Sequence, residues 1–518
     1  MRVQAAANTS SVSPAGAKPR GWAHRITFVL LMAACSGLRL VCLACKPLWF
    51  DEAFSVEVAR LDWPNFLHLL WWREANMSFY YLLLRVWLHL GHSPYFIRSL
   101  SVIIAAATLP AIYWLARLLF DHRVALISAA LFTFNAYEVR YSQEARSYSL
   151  LVLLATLSSG LLVWWLGEPL RRNLRGYIGA GVLAVYAHLY ALLLTVAHWL
   201  VLRLTCPPQI AIGTPAVRMR RAWWTIGVLV LPLLLFVAKT GAGPIRWITR
   251  PSLQSLAEFF QHLCGSNEWP LPALYVVACT IAVASAGKRL GRRDPDRDVW
   301  RLQFLLTWLL FPVAFTVLLS FARPVFLARY MIFCLPPLVI LAAAGLERLR
   351  SAWMLGVALA VMLFLSLQGV FFVYAHDFDK ERDASVAAST FVLDHSRPED
   401  GIVFHIAETR IPYEFARSER AGEDTASAKF TAQLGPVILF PHHGAGLNYR
   451  DFTGKPSSEF LQQVGATYPR LWVMLMNNGP GEKPDSTTVM LTQVLAESFP
   501  SLQRWQFAKV EVRLYSKP

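Results

Sequence analysis

"LLMAACSGLRLVCLACKPLWFDEAFS" (residues 30–55) passes from an apolar run straight into two adjacent acids, Asp51 and Glu52. A bilayer crossing needs about 20 mostly apolar residues, so these acids stand at the mouth of the first membrane segment. Acids just past a span are often simply solvated. These follow Trp49 and Phe50, residue types that settle at the membrane–water boundary. The rest of the chain decides whether they do chemistry there.

Of the 518 residues, 55% are hydrophobic and only 16% charged, and the mean hydropathy is +0.41. Soluble proteins carry nearer ~25% charged residues. Apolar runs of spanning length recur up to about residue 375, which predicts a polytopic α-helical membrane protein. The net charge of +16 invites a nucleic-acid reading, but its distribution argues against one. Residues 376–518 hold 15 Lys/Arg and 18 Asp/Glu, whereas residues 1–375 hold 34 and 15. The excess sits in the membrane part, where basic loops set topology.

Residues 1–21 have little to bury and read as a disordered cytoplasmic tail. Residues 22–375 form the membrane domain, with spans expected near 26–45, 96–119, 124–140, 148–167, 223–239, 270–286, 302–321, 330–346 and 353–374. The stretch 177–204 is ambiguous. At ~1.5 Å per residue it makes about 42 Å of helix, long for one crossing and short for two. A single crossing would put "RMRR" (218–221) and "KRLGRRDPDR" (288–297) opposite "EPLRRNLRG" (168–176), against the positive-inside rule. A hairpin turning at "AHLY" (187–190) keeps the basic loops together. The result is about eleven crossings, with the N-terminus inside and the C-terminus outside.

None of the seven cysteines lies in the C-terminal region, so no disulfide framework is expected there. Cys42 and Cys45 form a C-x-x-C that reads as packing inside the first apolar helix. "LMAAC", ending at Cys35, resembles a lipoprotein cleavage site, but the uninterrupted span around it reads as an uncleaved helix.

The first outer segment, 46–95, mixes aromatics with His68, Arg73, Glu74, Arg85 and His89 at near-helical spacing, as in helices lying on a membrane surface. The segment 240–269 has a similar stretch, "PIRWITRPSLQSLAEFFQHL". Residues 376–518 read as a small extracytoplasmic α/β domain. "DGIVFHI" and "RLWVMLM" are expected as buried strands and "FAKVEVRLYS" as a late one. "SSEFLQQVGATY" and "TQVLAESF" are expected as short helices.

This topology gathers charged and polar groups at one membrane face: Asp51, Glu52, Glu138, Arg140, Tyr141, Glu144, Arg146, His188, Tyr190, Arg246, Arg250, Arg329 and Tyr330. Plainer readings stand beside the functional one. Arg39, inside the first span, snorkels. Arg140 and Arg146 pair with Glu138 and Glu144 to hold a turn. His188 is a structural hydrogen-bonder. Charges at membrane depth are costly, so their convergence points to a cavity or a partner. Arginine grips phosphate oxygens through a planar fork, a carboxylate takes a proton from an attacking hydroxyl, and the cations stabilise charge on the leaving oxygens.

"PLWFDEAFS" after the first span, "YSQEARSYSL" (141–150) and "ARYMIFCLPP" (328–337) entering a late span resemble the lipid-dependent GT-C glycosyltransferases. The bacterial protein-mannosyltransferase-like and aminoarabinose-transferase-like branch, related to glycosyltransferase family 39, is the most similar. The resemblance implies a GT-C-like membrane domain and transfer of a sugar from a polyprenyl-phosphate carrier. It implies an acceptor (lipid, glycan or protein) on the outer face of the cell inner membrane, and inversion at the anomeric centre. It makes Asp51 the candidate base and Glu52 its partner in orienting the acceptor. Arg146 and Arg329 would contact the carrier phosphate, with Arg246 or Arg250 as a third. Tyr141, Glu144, Tyr330, His188 and Tyr190 would line the substrates. No His/Cys group has zinc-ligand spacing, and a loosely held divalent metal at Asp51 and Glu52 stays open. The competing reading, a transporter or lipid flippase, predicts mid-membrane polar groups and an internal repeat; no repeat is evident in the sequence.

Overall fold

The computed structural model describes residues 20–205, 214–241, 248–287, 297–376, 384–421, 434–442, 447–452, 454–476 and 484–518. The expected tail lies almost wholly outside them, as do Arg246 and most of "KRLGRRDPDR". Among the described residues, seven helices are long and apolar enough to cross a membrane: Trp22–Leu40, Pro94–Leu119, Tyr148–Gly167, Ala216–Thr240, Asp298–Ala322, Ala328–Glu347 and Ala352–Ala375. Shorter apolar helices include His122–Thr133, Ala191–Leu204 and Pro270–Ser285. Each expected span falls on a helix, with two departures in detail.

The first departure is at 124–140, which is two helices, α6 (His122–Thr133) and α7 (Ala136–Ser142). Asn135 breaks the run: its Oδ1 accepts the Glu138 amide at 3.0 Å, and its Nδ2 donates to the Leu263 carbonyl at 3.0 Å. The second is the end of α1 (Arg20–Leu40), which stops short of residue 45. Cys42 adopts φ +57°, and Cys42 and Cys45 form a disulfide across the turn. The expectation that they pack inside a helix is therefore corrected: the helix ends before them.

The hairpin at 177–204 is present. Helices α9 (Arg171–Ala187) and α10 (Ala191–Leu204) are parted by His188–Tyr190. Tyr177 and His198 lie 21 positions apart, about 31 Å on a straight helix, yet the Tyr177 hydroxyl is 3.5 Å from His198 Nδ1. The chain must fold back between them. Tight packing elsewhere needs small residues; a Cβ on Gly345 would collide with the Ala278 carbonyl of the neighbouring helix.

The segment 46–95 folds as α2 (Phe50–Arg60), α3 (Trp63–Trp72) and α4 (Ser78–Leu88), followed by the start of the span Pro94–Leu119. Trp63, Leu67, Trp71 and Trp72 stay exposed, as suits a face against lipid. Glu52 is fully buried in the first turn of α2. Its carboxylate accepts two bonds from Arg98 (2.8 and 2.6 Å), one from the Ala145 amide (2.8 Å) and one from the Trp49 amide (3.3 Å). Arg98 also donates to the carbonyls of Leu43, Lys46 and Pro47 at 2.7 to 2.9 Å. One ion pair thus joins the turn after α1, the start of α2, the helix α5 (Pro94–Leu119) and the turn before α8 (Tyr148–Gly167).

The C-terminal domain is a five-stranded sheet of order β2-β1-β3-β5-β4, with β1 Gly401–Phe404, β2 Val437–Phe440, β3 Arg470–Met476, β4 Ser501–Phe507 and β5 Val510–Ser516. β1 runs parallel to β2 and β3; β5 runs antiparallel to β3 and β4. The three expected strands are there. β2, β4 and the helices Ser385–His395 and Arg410–Ala421 were not anticipated. The domain sits on α2 and α3: Phe452 meets Phe54 edge-on at 5.2 Å, Tyr449 packs on His68 at 4.0 Å, Arg60 donates to Ser418 at 3.1 Å, and Arg73 pairs with Glu408. Behind that contact Arg410 is fully buried between Asp451 (2.8 Å) and Glu414 (2.9 Å).

Removing one member of a buried ion pair strands the other, at a cost of about 3–5 kcal/mol. Glu52→Ala or Arg98→Ala is expected to lower the thermal unfolding temperature and expose residues 43–60 to proteolysis. Asp451→Ala is expected to loosen the C-terminal domain by a similar amount, seen as faster amide exchange at 401–404 and 470–476, while the membrane helices keep their protection.

Candidate active site

Adjacent residues at the start of a helix diverge by about 100°, so Glu52 faces the protein interior and Asp51 faces elsewhere. Asp51 Oδ2 lies 3.6 Å from a terminal nitrogen of Arg146 and 3.6 Å from one of Arg329. Arg146 comes from the turn before α8. It is held by its other nitrogen, which donates to the Asp51 carbonyl and the Ser55 hydroxyl at 3.2 Å each. Arg329 comes from the 3-10 turn Ala328–Cys334 that enters α15 (Leu335–Glu347), and it lies over the Trp49 ring. The side chains are 9%, 15% and 20% exposed for Arg146, Arg329 and Asp51. Two guanidiniums against one carboxylate leave a net positive, largely desolvated site, the arrangement that receives an anion.

An aromatic wall completes it. The Tyr141 and Tyr148 rings are 4.9 Å apart, His188 lies 4.6 Å from Tyr330, and Tyr330 lies 5.1 Å from Tyr190. Tyr190 donates to the Val325 carbonyl, which ties the break in the hairpin to the turn carrying Arg329. His188 is buried and its ring accepts from the Tyr190 amide at 3.3 Å.

Asp51, Arg146, Arg329, Tyr141, Tyr330, His188 and Tyr190 are thus brought together. Others are not. Glu52 is committed to Arg98. Glu144 lies 3.9 Å from Arg140 and lines a separate small pocket with Lys46, Arg98 and Gln143. Arg250 is exposed and has no ion pair among the described residues. Arg39 does not snorkel; it is fully buried and pairs with Glu138. Arg146 pairs with Asp51 rather than with Glu138 or Glu144. The two acids do not fit a shared divalent metal, because each carboxylate already meets guanidinium groups on different sides of the helix. No group of three or more His, Cys, Asp or Glu among the described residues is arranged to hold a metal ion.

Three participants were not anticipated as site residues. Arg98 fixes Glu52, and its charge at the start of a span was the signal. Tyr81 on α4 is fully buried beside Arg146. Glu74, in the loop between α3 and α4, feels both Asp51 and Arg146; burial pushes its carboxyl up to about 7. Its signal was a charged pair inside the aromatic run "WWREANM".

No family model matches the sequence, and no curated protein matches it. Solved structures do. ArnT from Cupriavidus metallidurans in the apo state superposes with a TM-score of 0.60 at 13% identity, over 95% of this chain and 98% of that one. The same protein bound to undecaprenyl phosphate gives 0.60 at 14%, over 96% and 98%. The Archaeoglobus fulgidus oligosaccharyltransferase in complex with Zn and sulfate gives 0.52 at 11%, over 86% and 67%. The chain therefore has the GT-C fold: a multi-pass helical membrane domain with a small C-terminal sheet domain.

Proposed function

We propose that this protein is a membrane glycosyltransferase that moves a sugar from a polyprenyl-phosphate carrier to an acceptor on the outer face of the inner membrane. The observation that carries this reading is the Asp51 carboxylate held between Arg146 and Arg329 at the first outer loop. The ArnT structure with undecaprenyl phosphate supports it by fold. In this reading Arg146 and Arg329 grip the two free oxygens of the carrier phosphodiester, whose negative charge balances the second guanidinium that Asp51 alone leaves unmatched. Asp51 then takes the proton of the acceptor nucleophile as it attacks the anomeric carbon from the face opposite the phosphate. The bond from that carbon to the phosphate oxygen breaks, the carrier phosphate leaves with the electron pair, and the anomeric centre inverts. The arginines stabilise the charge that develops on the leaving oxygens. Glu52 acts by positioning: it fixes the first turn of α2 and the Ala145 amide next to Arg146. Tyr141, Tyr330, His188 and Tyr190 form the wall against which the substrates stack. The N-terminus is cytoplasmic and the C-terminal domain extracytoplasmic.

Purified protein given labelled polyprenyl-phospho-sugar and envelope extract is expected to transfer the label. Asp51→Asn is expected to lower the rate by about 10²-fold or more with the unfolding temperature retained. Full activity in that variant rules Asp51 out as the base, and no transfer by the wild type from a panel of such donors rules out the enzyme reading. Arg329→Lys is expected to weaken carrier binding despite the retained charge, because the planar fork is lost. For topology, a cysteine at Ser501 is expected to react with an impermeant maleimide in intact spheroplasts, and one at Arg172 only after lysis.

A further inference from the structure

The turn between α1 and α2 carries the carbonyls that hold Arg98. A guanidinium has five N–H donors. Three from Arg98 go to this turn: to the carbonyls of Leu43 at 2.9 Å, Lys46 at 2.7 Å and Pro47 at 2.9 Å. The other two go to Glu52 at 2.8 and 2.6 Å. Glu52 is therefore only as fixed as Arg98, and Arg98 only as fixed as those carbonyls. They converge on one side chain while the chain between them stays curled.

Backbone bonding does little to keep that curl. Inside it the Leu43 amide meets the Leu40 carbonyl at 3.4 Å and the Cys45 amide meets the Cys42 carbonyl at 3.2 Å, at or beyond the long end for such bonds. Cys42 takes φ +57°, a region that a residue with a Cβ seldom adopts. Neighbouring side chains hold the ends of the turn. Gln143 donates to the Arg39 and Val41 carbonyls at 3.0 and 2.8 Å, and the Lys46 ammonium to the Val373 and His376 carbonyls at 3.0 and 2.6 Å. The middle is closed by the Cys42–Cys45 disulfide, across a sequence separation of 3. So short a ring removes little freedom from the unfolded chain. It adds little to the stability of the whole fold, and what it constrains is the local path that presents the Arg98 acceptors.

The bond is also reachable. Cys42 and Cys45 are both exposed, while the free thiols of Cys35, Cys264 and Cys334 are buried. Cys42 borders a small pocket with Lys46, Arg98 and Arg140. Cations beside a sulfur stabilise the thiolate that leaves when a disulfide is attacked.

We infer that Cys42 and Cys45 are positioning residues for the Asp51 site, and that reducing their disulfide uncouples Asp51 from Arg146 without unfolding the chain. The effect on sugar transfer rests on the transferase reading; the coupling itself does not. The step is a two-electron exchange with a dithiol reductant. The S–S bond breaks, the two sulfurs take two electrons and two protons from the dithiol and become thiols, and the dithiol closes to its own disulfide. The curl then opens, and the carbonyls of Leu43, Lys46 and Pro47 no longer converge on Arg98. Glu52 loses the arginine that holds it against the Ala145 amide, where it accepts at 2.8 Å. Asp51 precedes Glu52 and Arg146 follows Ala145, so the acid and the arginine lose their register. Arg329 enters from Ala328–Cys334 and stays outside the change.

Treatment of the purified full-length protein with dithiothreitol tests this. A maleimide is expected to label Cys42 and Cys45 after treatment and not before; labelling before treatment overturns the inference. Amide exchange at residues 43–60 and 143–148 is expected to quicken on reduction, while 401–404 and 470–476 keep their rates and the unfolding temperature holds. Unchanged exchange at 43–60 and 143–148 overturns the coupling. Loss of protection throughout the chain overturns it too, because the bond is then a staple of the whole fold.

The second measurement is transfer from labelled polyprenyl-phospho-sugar. Reduction is expected to lower kcat about tenfold or more and to change KM for the carrier far less, because Arg329 still holds the phosphate. Oxidised glutathione is expected to restore the rate. The double variant Cys42→Ser, Cys45→Ser is expected to match the reduced protein and to ignore dithiothreitol. Full kcat in the reduced protein overturns the positioning role. A wild type that transfers nothing in either state overturns the enzyme reading, and the exchange comparison still decides whether the disulfide holds the site.

Discussion

The buried pair between Glu52 and Arg98 is the constraint on which the face carrying Asp51 depends. It is made where charge is expensive, and it is fully satisfied: every oxygen of the acid and the fork of the arginine find partners. Such pairs add little net stability compared with an apolar filling. What this one supplies is geometry. Four chain segments that are distant in sequence meet at a single carboxylate, and the position of Asp51 relative to Arg146 follows from it. The turn before α8 is hung from Glu52 through the Ala145 amide, one residue from the arginine that faces Asp51.

From that anchor the division of labour between two neighbouring acids becomes intelligible. A helix start separates consecutive side chains by angle, so one acid is free to be structural only because the other points away. The interior acid meets a single arginine whose remaining donors go to carbonyls. The outer one meets two arginines and leaves a charge imbalance. That imbalance is the chemical content of the site, and the ring of Tyr141, Tyr148, His188, Tyr330 and Tyr190 gives it walls.

Much of the architecture was readable because lipid imposes a coarse rule: apolar runs become helices, and basic loops gather together. Even the bend at 187–190 followed from charge. What was not readable depended on single contacts. Nothing in the hydropathy of "LFTFNAYEVRYS" shows that Asn135 will spend its amide on capping α7 and holding Leu263. The C-x-x-C has the same composition whether the helix runs through it or stops before it. In the C-terminal domain the buried strands Gly401–Phe404 and Arg470–Met476 stood out as apolar runs, while β4, exposed or half-buried along its whole length, has no such run. The site was legible as a set of residue types and not as a partition. Asp51, Arg146 and Arg329 were named together, but the commitment of Glu52 to Arg98 needed a tertiary contact between residues 46 positions apart; the local pair of Arg140 with Glu144 was among the plainer readings.

The helix Phe50–Arg60 carries Asp51 at its first turn and, one helix length away, the arginine that grips Ser418 of the small domain. It is a rigid rod of about 16 Å. The small domain is therefore no detachable cassette. Exchanging it for the domain of a relative would transplant a new surface onto Phe54, Arg60, His68, Arg73 and Asn65, whose side chain accepts the Tyr449 amide at 3.4 Å, and any misfit would travel along the rod to the carboxylate between the two arginines. Chimeras that respect the sheet but not those five contacts should fold and still misplace the acid, so the heritable unit in this architecture is the small domain together with α2 and α3.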